Sequence, residues 1–212
     1  MLESFLREAL PLGAPSTKRP VHLVIDSTGL SVHVGARRKP PKRSAWRRLH
    51  VAVDRETGAI EACEVTASRA TDASQVGRLF RGVGRPVASA TMDGAYESRG
   101  THNTIVAHGV RPEKVLVPPR RGAKLSRRQS SFDKTRNHRI RAIARLGRME
   151  WERTSGYTKR SVVENVIGRY KAILGGDMRA RSLAGQRAEG RIGCRILNTM
   201  ASLGMPQSEL SE

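Results

Sequence analysis

Three acidic residues occupy positions at which a carboxylate could bind a metal ion or take part in catalysis. Asp26 follows the apolar, β-branched run of residues 21–25, and Asp93 follows a similar run. We therefore expect both carboxylates at or near the ends of short buried strands, where a charge is costly unless it is paired, hydrogen-bonded or bound to a metal. Glu164 lies on a third segment that could reach them. The alternative for Asp26 is a simple cap on a turn expected at residues 27–29.

Carboxylates that share one pocket repel one another unless cations lie between them. Mg²⁺ and Mn²⁺ prefer such oxygen ligands, and two ions about 4 Å apart can bind the attacking and the leaving oxygen of a phosphodiester. If the fold brings the three acids together, their chemistry favours metal-dependent cleavage of a phosphodiester.

A polar stripe surrounds the third acid if residues 158–174 form an α-helix. At 100° per residue, Arg160, Glu164 and Lys171 lie at about −60°, −20° and −40° from Tyr157. Apolar side chains gather on the opposite side, which predicts one core face and one exposed face. The alternative is an ordinary surface helix whose acid is screened by neighbouring bases.

The charge of the chain favours a polyanionic partner. It has 39 Lys and Arg against 19 Asp and Glu, a formal net charge of +20 spread over 212 residues. That distribution favours a folded domain that binds nucleic acid over a basic tail. The densest cluster is a loop at residues 35–48, which we expect to contact phosphates, with Trp46 stacking on a base or anchoring the loop on the core. Its basic residues are Arg37, Arg38, Lys39, Lys42, Arg43, Arg47 and Arg48.

The hydrophobic pattern predicts an α/β domain. Strands are expected at residues 21–26, 49–54, 59–65, 86–92 and 110–117. Helices are expected at about 73–81, 98–108, 132–145, 158–174 and 184–203, with residues 149–153 as a short connection.

The sequence shows no feature of a membrane or secreted protein. There is no run of about 18 apolar residues, and the first residues lack the pattern of a signal peptide. Cys63 and Cys194 have no CxxC spacing, and we interpret both as buried apolar side chains in a reducing compartment. We expect a cytoplasmic, nucleoid-associated protein.

Three sequence blocks resemble the catalytic blocks of bacterial DDE-class insertion-sequence transposases, in the insertion sequence five group. They are Val24-Ile25-Asp26-Ser27-Thr28-Gly29, Met92-Asp93-Gly94-Ala95-Tyr96 and Tyr157-x2-Arg160-x3-Glu164-x6-Lys171. The third block has a specific spacing, and it follows two strand-end aspartates in the expected order. Residues 46–58 and 136–140 also look similar to that family, and the resemblance covers roughly residues 20–203.

The resemblance implies an RNase H-like α/β fold with a central mixed five-stranded sheet flanked by helices. It also implies a two-metal site in which Asp26 and Asp93 hold Mg²⁺ or Mn²⁺ and Glu164 completes the site. The implied reaction is hydrolysis of a phosphodiester at the ends of the element, followed by attack of the freed 3′-OH on target DNA. Hydroxyl, guanidinium and ammonium groups would position the DNA through its phosphate oxygens. The side chains assigned to this task are Tyr157, Arg160, Lys171 and Arg169.

The domain organisation differs from the usual pattern of the family, whose members carry an N-terminal helical DNA-recognition region. We expect residues 1–19 to be a short helix and linker that remain from such a region. Residues 20–204 would form the catalytic domain and residues 205–212 a tail. The expected partner is DNA, bound by a homodimer or by an assembly with a separate N-terminal polypeptide.

Two other functions stay open at this point. The chain could be a truncated, catalytically silent DNA-binding remnant that regulates transposition, or an RNase H-like nuclease without strand transfer. The polar stripe around Glu164 argues against the nuclease. A basic ribosomal protein would match the charge, but it would not explain why Asp26, Asp93 and Glu164 occur at these positions in the three blocks.

Overall fold

A mixed β-sheet lies at the centre of the fold. The structure is a computed structural model that describes residues 12–13, 19–32 and 46–204. The strands in these ranges are β1 (Val21–Val32), β2 (Trp46–Asp54), β3 (Ile60–Ala67), β4 (Val87–Met92), β5 (Val115–Leu116) and β6 (Asp177–Met178). Their order is β3-β2-β1-β4-β5, and β6 pairs with the end of β1. The pairs β1–β2 and β2–β3 are antiparallel, whereas β4 runs parallel to both β1 and β5.

The short strands β5 and β6 differ from the sequence prediction. The described sheet has six strands rather than five, because the two-residue β6, too short to show a hydrophobic pattern, extends it. The strand expected at residues 110–117 is reduced to β5, and a 3₁₀ turn at Pro112–Lys114 precedes it. Proline cannot donate to a β-ladder, which explains the shortening.

Six helices cover the sheet in the described ranges. They are α1 (Asp72–Gly82), α2 (Arg99–Ala107), α3 (Ser131–Leu146), α4 (Arg148–Ser155), α5 (Ser161–Leu174) and α6 (Leu183–Ser202). Four of the five predicted helices begin and end within one residue of the prediction. The side chains of Ser98, Ser130 and Ser182 cap α2, α3 and α6 by accepting backbone N–H groups.

Helix α4 corrects the prediction of a short connection at residues 149–153. Gly147 ends α3 at a φ of 78°, which an L side chain rarely adopts, and a second helix starts directly after it. Trp151 buries its indole from α4 and holds the short helix on the domain.

The core has two layers because side chains of a strand alternate between the faces of the sheet. Val24 and Leu30 of β1 pack with residues of α5 and α6. Leu23 and Ile25 of the same strand pack with residues of α1 and α2. The α5 layer and the α1 layer therefore approach the middle of β1 from opposite sides.

Helix α6 lies close to its neighbours at two glycines. A β-carbon at Gly190 would lie 2.5 Å from Val65 Cγ2, and one at Gly193 would lie 2.7 Å from the Tyr170 hydroxyl oxygen. Real β-carbons do not approach other atoms so closely, so both sites need glycine for packing rather than for backbone freedom.

We expect Gly193→Ala to lower the free energy of unfolding by about 1–3 kcal/mol, because the added methyl group overpacks the contact with Tyr170. Urea denaturation of the purified chain measures this change. Gly168→Ala is the matched control, since a β-carbon added at that helical glycine would meet no neighbouring group within 4 Å. It should raise the stability by about 0.5–1 kcal/mol. Equal shifts in the two variants would contradict the packing argument.

The two cysteines are buried, as predicted, and their side chains also contact each other. Both Cys63 and Cys194 are free thiols, and the hydrogen bond between them, together with burial, raises the pKa of Cys194 well above its ordinary value. In the described parts of the chain, no helix combines the length and apolarity needed to cross a membrane.

Candidate active site

Asp26 lies inside β1, whereas the sequence predicted that the strand ends there. The predicted turn at residues 27–29 is strand as well, because β2 stays paired with β1 as far as Ser31. On the other side of β1, the parallel strand β4 ends at Met92, opposite Ile25. Asp26 is therefore the first residue of β1 beyond the end of β4, where one side of the strand has lost its neighbour.

Asp93 follows β4 directly, as predicted. Its Oδ1 accepts a hydrogen bond of 2.9 Å from the Ala95 N–H and so caps the 3₁₀ turn Gly94–Tyr96. Because β1 and β4 are parallel neighbours, Asp93 lies next to Asp26, beside the carboxyl end of β4.

The third acid shares the electrostatic environment of the first two. Burial raises the pKa of the Asp26 carboxyl above its ordinary value, and the charges of Asp93 and Glu164 add to that rise. The N–H of Ser27 and the guanidinium of Arg160 act in the opposite direction. The structure thus places Asp93 and Glu164 near enough to Asp26 for their charges to act on its carboxyl.

Arg160 connects two of these acids across the site. Its Nη1 donates to Asp26 Oδ2 at 2.9 Å, and its Nη2 donates to Glu164 Oε1. Its guanidinium also lies over the ring of Tyr157, 6.0 Å from the ring centroid. A cation between two carboxylates offsets their repulsion, and charge-assisted hydrogen bonds of this kind are strong.

The polar stripe is only partly helical, which corrects the prediction of one helix from residue 158. Gly156 ends α4 in the left-handed region at a φ of 74°, and Tyr157–Arg160 then form a 3₁₀ turn before α5 begins at Ser161. The angles calculated for an α-helix therefore apply to Glu164 and Lys171, but not to the residues of the turn. Arg160 still reaches Glu164, because the two lie four residues apart.

The site fits a divalent cation in its ligand chemistry. Asp26, Asp93 and Glu164 offer carboxylate oxygens, the ligands that Mg²⁺ and Mn²⁺ prefer, and the cationic Arg160 already binds two of them. Within the described residues, however, no three Asp, Glu, His or Cys side chains lie close enough together to ligate one ion. In this structure Arg160 occupies one oxygen of Asp26 and one oxygen of Glu164.

Exposed cations lie on the same helix as Glu164. Lys171 is exposed on the face of α5 that also carries Glu164 and the bare backbone of Gly168, and Arg169 is half-buried. Position 168 therefore leaves the helix backbone open on this face, between Glu164 and Lys171.

The start of β2 carries the described part of the basic loop. Trp46 packs on Gly29 and keeps 40% of its surface exposed. Arg47 donates to Gln186 at 2.5 Å, and Arg48 lines a groove of about 740 Å³ together with Arg47 and Trp46. The tail expected at residues 205–212 lies outside the described residues, as do residues 1–11 and 14–18 of the expected N-terminal helix and linker. Five predicted contacts of the basic loop also lie outside the described residues. They are Arg37, Arg38, Lys39, Lys42 and Arg43.

Sequence reasoning missed a polar cluster beside Asp26. Asp72, at the start of α1, accepts hydrogen bonds from Ser27 Oγ at 2.7 Å and Arg48 Nη1 at 2.5 Å. Its Oδ1 also lies 3.3 Å from Nδ1 of the fully buried His50. Ser27, Arg48 and His50 share one face of the β1–β2 pair, and this alternation was the only signal available in the sequence.

A second missed group is Tyr96, on the turn that Asp93 caps. Its side chain is buried, and its hydroxyl has no hydrogen-bond partner among the residues that the structure describes. Burial raises the pKa of Tyr96 far above its ordinary value, and the charges of Asp72, Asp26 and Asp93 add to that rise. The phenol therefore stays neutral beside the acids.

Comparison with known proteins adds a family and one solved structure. A family model described as a transposase DDE domain matches residues 17–199. Among solved structures, the chain is similar to piggyBac transposase in a cryo-EM structure of its synaptic complex with hairpin DNA, with 11% sequence identity and a TM-score of 0.31. That match covers 90% of this chain and 56% of the piggyBac chain, so this chain spans little more than half of that length.

Proposed function

The chain belongs to the family of transposase DDE domains, and we propose on this basis that it cleaves DNA at the ends of an insertion element and joins the freed 3′-OH to target DNA. We assign the element to the insertion sequence five group and infer an RNase H-like fold. The strand order β3-β2-β1-β4-β5, with acids beside the end of β4, supports this inference.

One observation carries the proposal. Arg160 donates hydrogen bonds to both Asp26 and Glu164, two acids far apart in the sequence. Asp93 directly follows the end of β4, the strand next to β1. Two acids bridged by an arginine beside the open side of β1, with a third acid on the neighbouring strand end, form a site that other cations and a phosphodiester could reach.

Each residue has a distinct role in this proposal. Asp26, Asp93 and Glu164 would hold two Mg²⁺ or Mn²⁺ ions, which when bound supply Lewis acidity and lower the pKa of an attacking water. Arg160 would exchange its carboxylate partners for phosphate oxygens, because its planar fork suits both. Tyr157 stacks against Arg160 and Trp151 and would keep the guanidinium beside the approaching strand.

The DNA itself would be bound mainly through its backbone. Phosphate contacts by Lys and Arg make affinity strongly dependent on salt. Lys171 and Arg169 of α5 are the proposed contacts beside the reacting phosphate, and Trp46, Arg47 and Arg48 those on β2. We also propose that a homodimer, or a separate N-terminal polypeptide, pairs the two ends of the element.

We expect Lys171→Ala to weaken DNA binding about equally for all DNA sequences and to reduce the slope of log affinity against log salt by about one. Mn²⁺ affinity should not change, because the ammonium group lies outside the cluster of acids. Lys114→Ala is the matched control. This lysine is also exposed, but it ends the turn before β5, at the end of the sheet away from Asp26 and Asp93. Binding titrations at several salt concentrations measure the slope. An equal loss in both variants would mean that the effect of Lys171 is only one of overall charge.

The function is tested by assaying the purified chain on a labelled duplex that carries an end of the element, taken from DNA flanking the gene. Reactions contain Mg²⁺, Mn²⁺ or EDTA, and unlabelled target DNA is present. Metal-dependent cleavage together with joined products supports the proposed transposase. Cleavage without joining would identify a nuclease, and binding without any product would identify a regulatory DNA-binding protein.

A further inference from the structure

The contacts of Asp72 go beyond those of a helix start. An acid in the first turn of a helix is stabilised by the helix dipole, and a cap would accept backbone N–H groups of that helix. Asp72 instead accepts hydrogen bonds from two side chains of the sheet, Ser27 on β1 and Arg48 on β2. These contacts tie α1 to the strand that carries Asp26.

Ser27 connects this carboxylate to the site through two of its atoms. Its Oγ donates to Asp72 Oδ1 at 2.7 Å, and its backbone N–H donates to Asp26 Oδ1 at 2.8 Å. The other oxygen of Asp26 accepts from Arg160. When Arg160 turns to the DNA, the Ser27 N–H is the remaining described hydrogen bond that orients the Asp26 carboxylate.

A buried histidine lies beside Asp72 on a second side. His50 is fully buried, with Nδ1 3.3 Å from Asp72 Oδ1 and Nε2 2.9 Å from Thr66 Oγ1. Thr66 belongs to β3, so the line of contacts crosses three neighbouring strands. Side chains fixed by packing and hydrogen bonds on rigid elements are the ones able to position a metal ligand.

We propose that Asp72 is a positioning residue, which through Ser27 holds the Asp26 carboxylate in the orientation that binds the metal ion. Asp72 touches neither the ion nor the DNA in this arrangement. The proposal rests on the proposed function, since it takes Asp26 as a metal ligand. Partners of this kind affect metal affinity about 10–100-fold when they are replaced.

The test is Mn²⁺ binding by the full chain without DNA, measured by isothermal titration calorimetry and by electron paramagnetic resonance. Asp72→Asn places an amide N–H₂ where Ser27 and Arg48 now donate, and it should weaken Mn²⁺ binding about 10–100-fold. Ser27→Ala removes the same contact from the other side and should have a similar effect. The double variant should be no weaker than the single ones, because both changes break one line of contacts.

Asp133→Asn is the matched control. Asp133 also lies in the first turn of a helix, is buried, and accepts hydrogen bonds from Ser130 and Arg99. Those partners belong to α2 and the cap of α3 rather than to β1. This variant can lose stability, read from its thermal midpoint, but it should bind Mn²⁺ like the original chain.

The outcomes separate this inference from the function on which it rests. If the original chain binds no Mn²⁺, the metal-dependent function and this inference both fail. If it binds Mn²⁺ and a folded Asp72→Asn chain binds it equally well, only the role of Asp72 is overturned. Should Asp72→Asn not fold, Ser27→Ala decides alone, and unchanged affinity in that variant overturns the inference. A loss of affinity in Asp133→Asn equal to that in Asp72→Asn or Ser27→Ala would also overturn it.

Discussion

Asp26→Asn is expected to reduce metal-dependent cleavage of DNA by about a thousandfold or more. Replacing a carboxylate by an amide removes the charge that holds the ion, and a bound metal contributes several kcal/mol of transition-state stabilisation, with each 1.4 kcal/mol corresponding to about tenfold in rate. The fold should remain, because the Asn side chain keeps an oxygen for the Ser27 N–H. Asp93→Asn and Glu164→Gln should have comparable effects, measured as initial cleavage rates with Mg²⁺ and with Mn²⁺.

The matched control for these variants is Glu113→Gln. Glu113 is exposed and paired with Arg111 on the 3₁₀ turn before β5, away from the strand ends that carry the acids. Its replacement changes the net charge equally but should leave the cleavage rate unchanged. Retained cleavage in any one of the three variants would remove that acid from the site, and circular dichroism confirms that each variant is folded.

Arg85→Ala is expected to lower the free energy of unfolding by about 3–5 kcal/mol. Arg85 Nη2 donates to Asp54 Oδ2 at 2.8 Å and to Glu61 Oε1 at 2.6 Å, and both acidic side chains are only 5% exposed. Removing the guanidinium leaves two buried carboxylates without their cation, which costs far more than the original pairing contributes. Urea denaturation at neutral pH measures the change.

The control for Arg85 is Arg153→Ala. Arg153 also pairs with an acid, Glu150, but both side chains are exposed and the pair is screened by water. The midpoint of unfolding should therefore hardly move. A double change of Asp54→Asn and Glu61→Gln should recover part of the stability lost in Arg85→Ala. Equal midpoints for the two arginine variants would contradict the role of burial.

The amino-acid sequence determined the features that depend on near neighbours in the chain. The β-branched runs predicted the strand that carries Asp26 and the strand that precedes Asp93, and serine caps lie at the starts of three helices. The three spaced blocks pointed to a DDE transposase, and the match over residues 17–199 then showed a transposase DDE domain. These signals are local, because strand propensity, capping and spacing act within a few residues.

The tertiary structure determined which of these residues contact each other and through which atoms. β1 runs past Asp26 because β2 pairs with it there, and Arg160 reaches two acids from a 3₁₀ turn because Gly156 ends the preceding helix. The contact between Ser27 and Asp72 joins residues 45 positions apart. Sheet register and helix packing set such contacts, and no period in the sequence encodes them, because each depends on where distant segments come to lie.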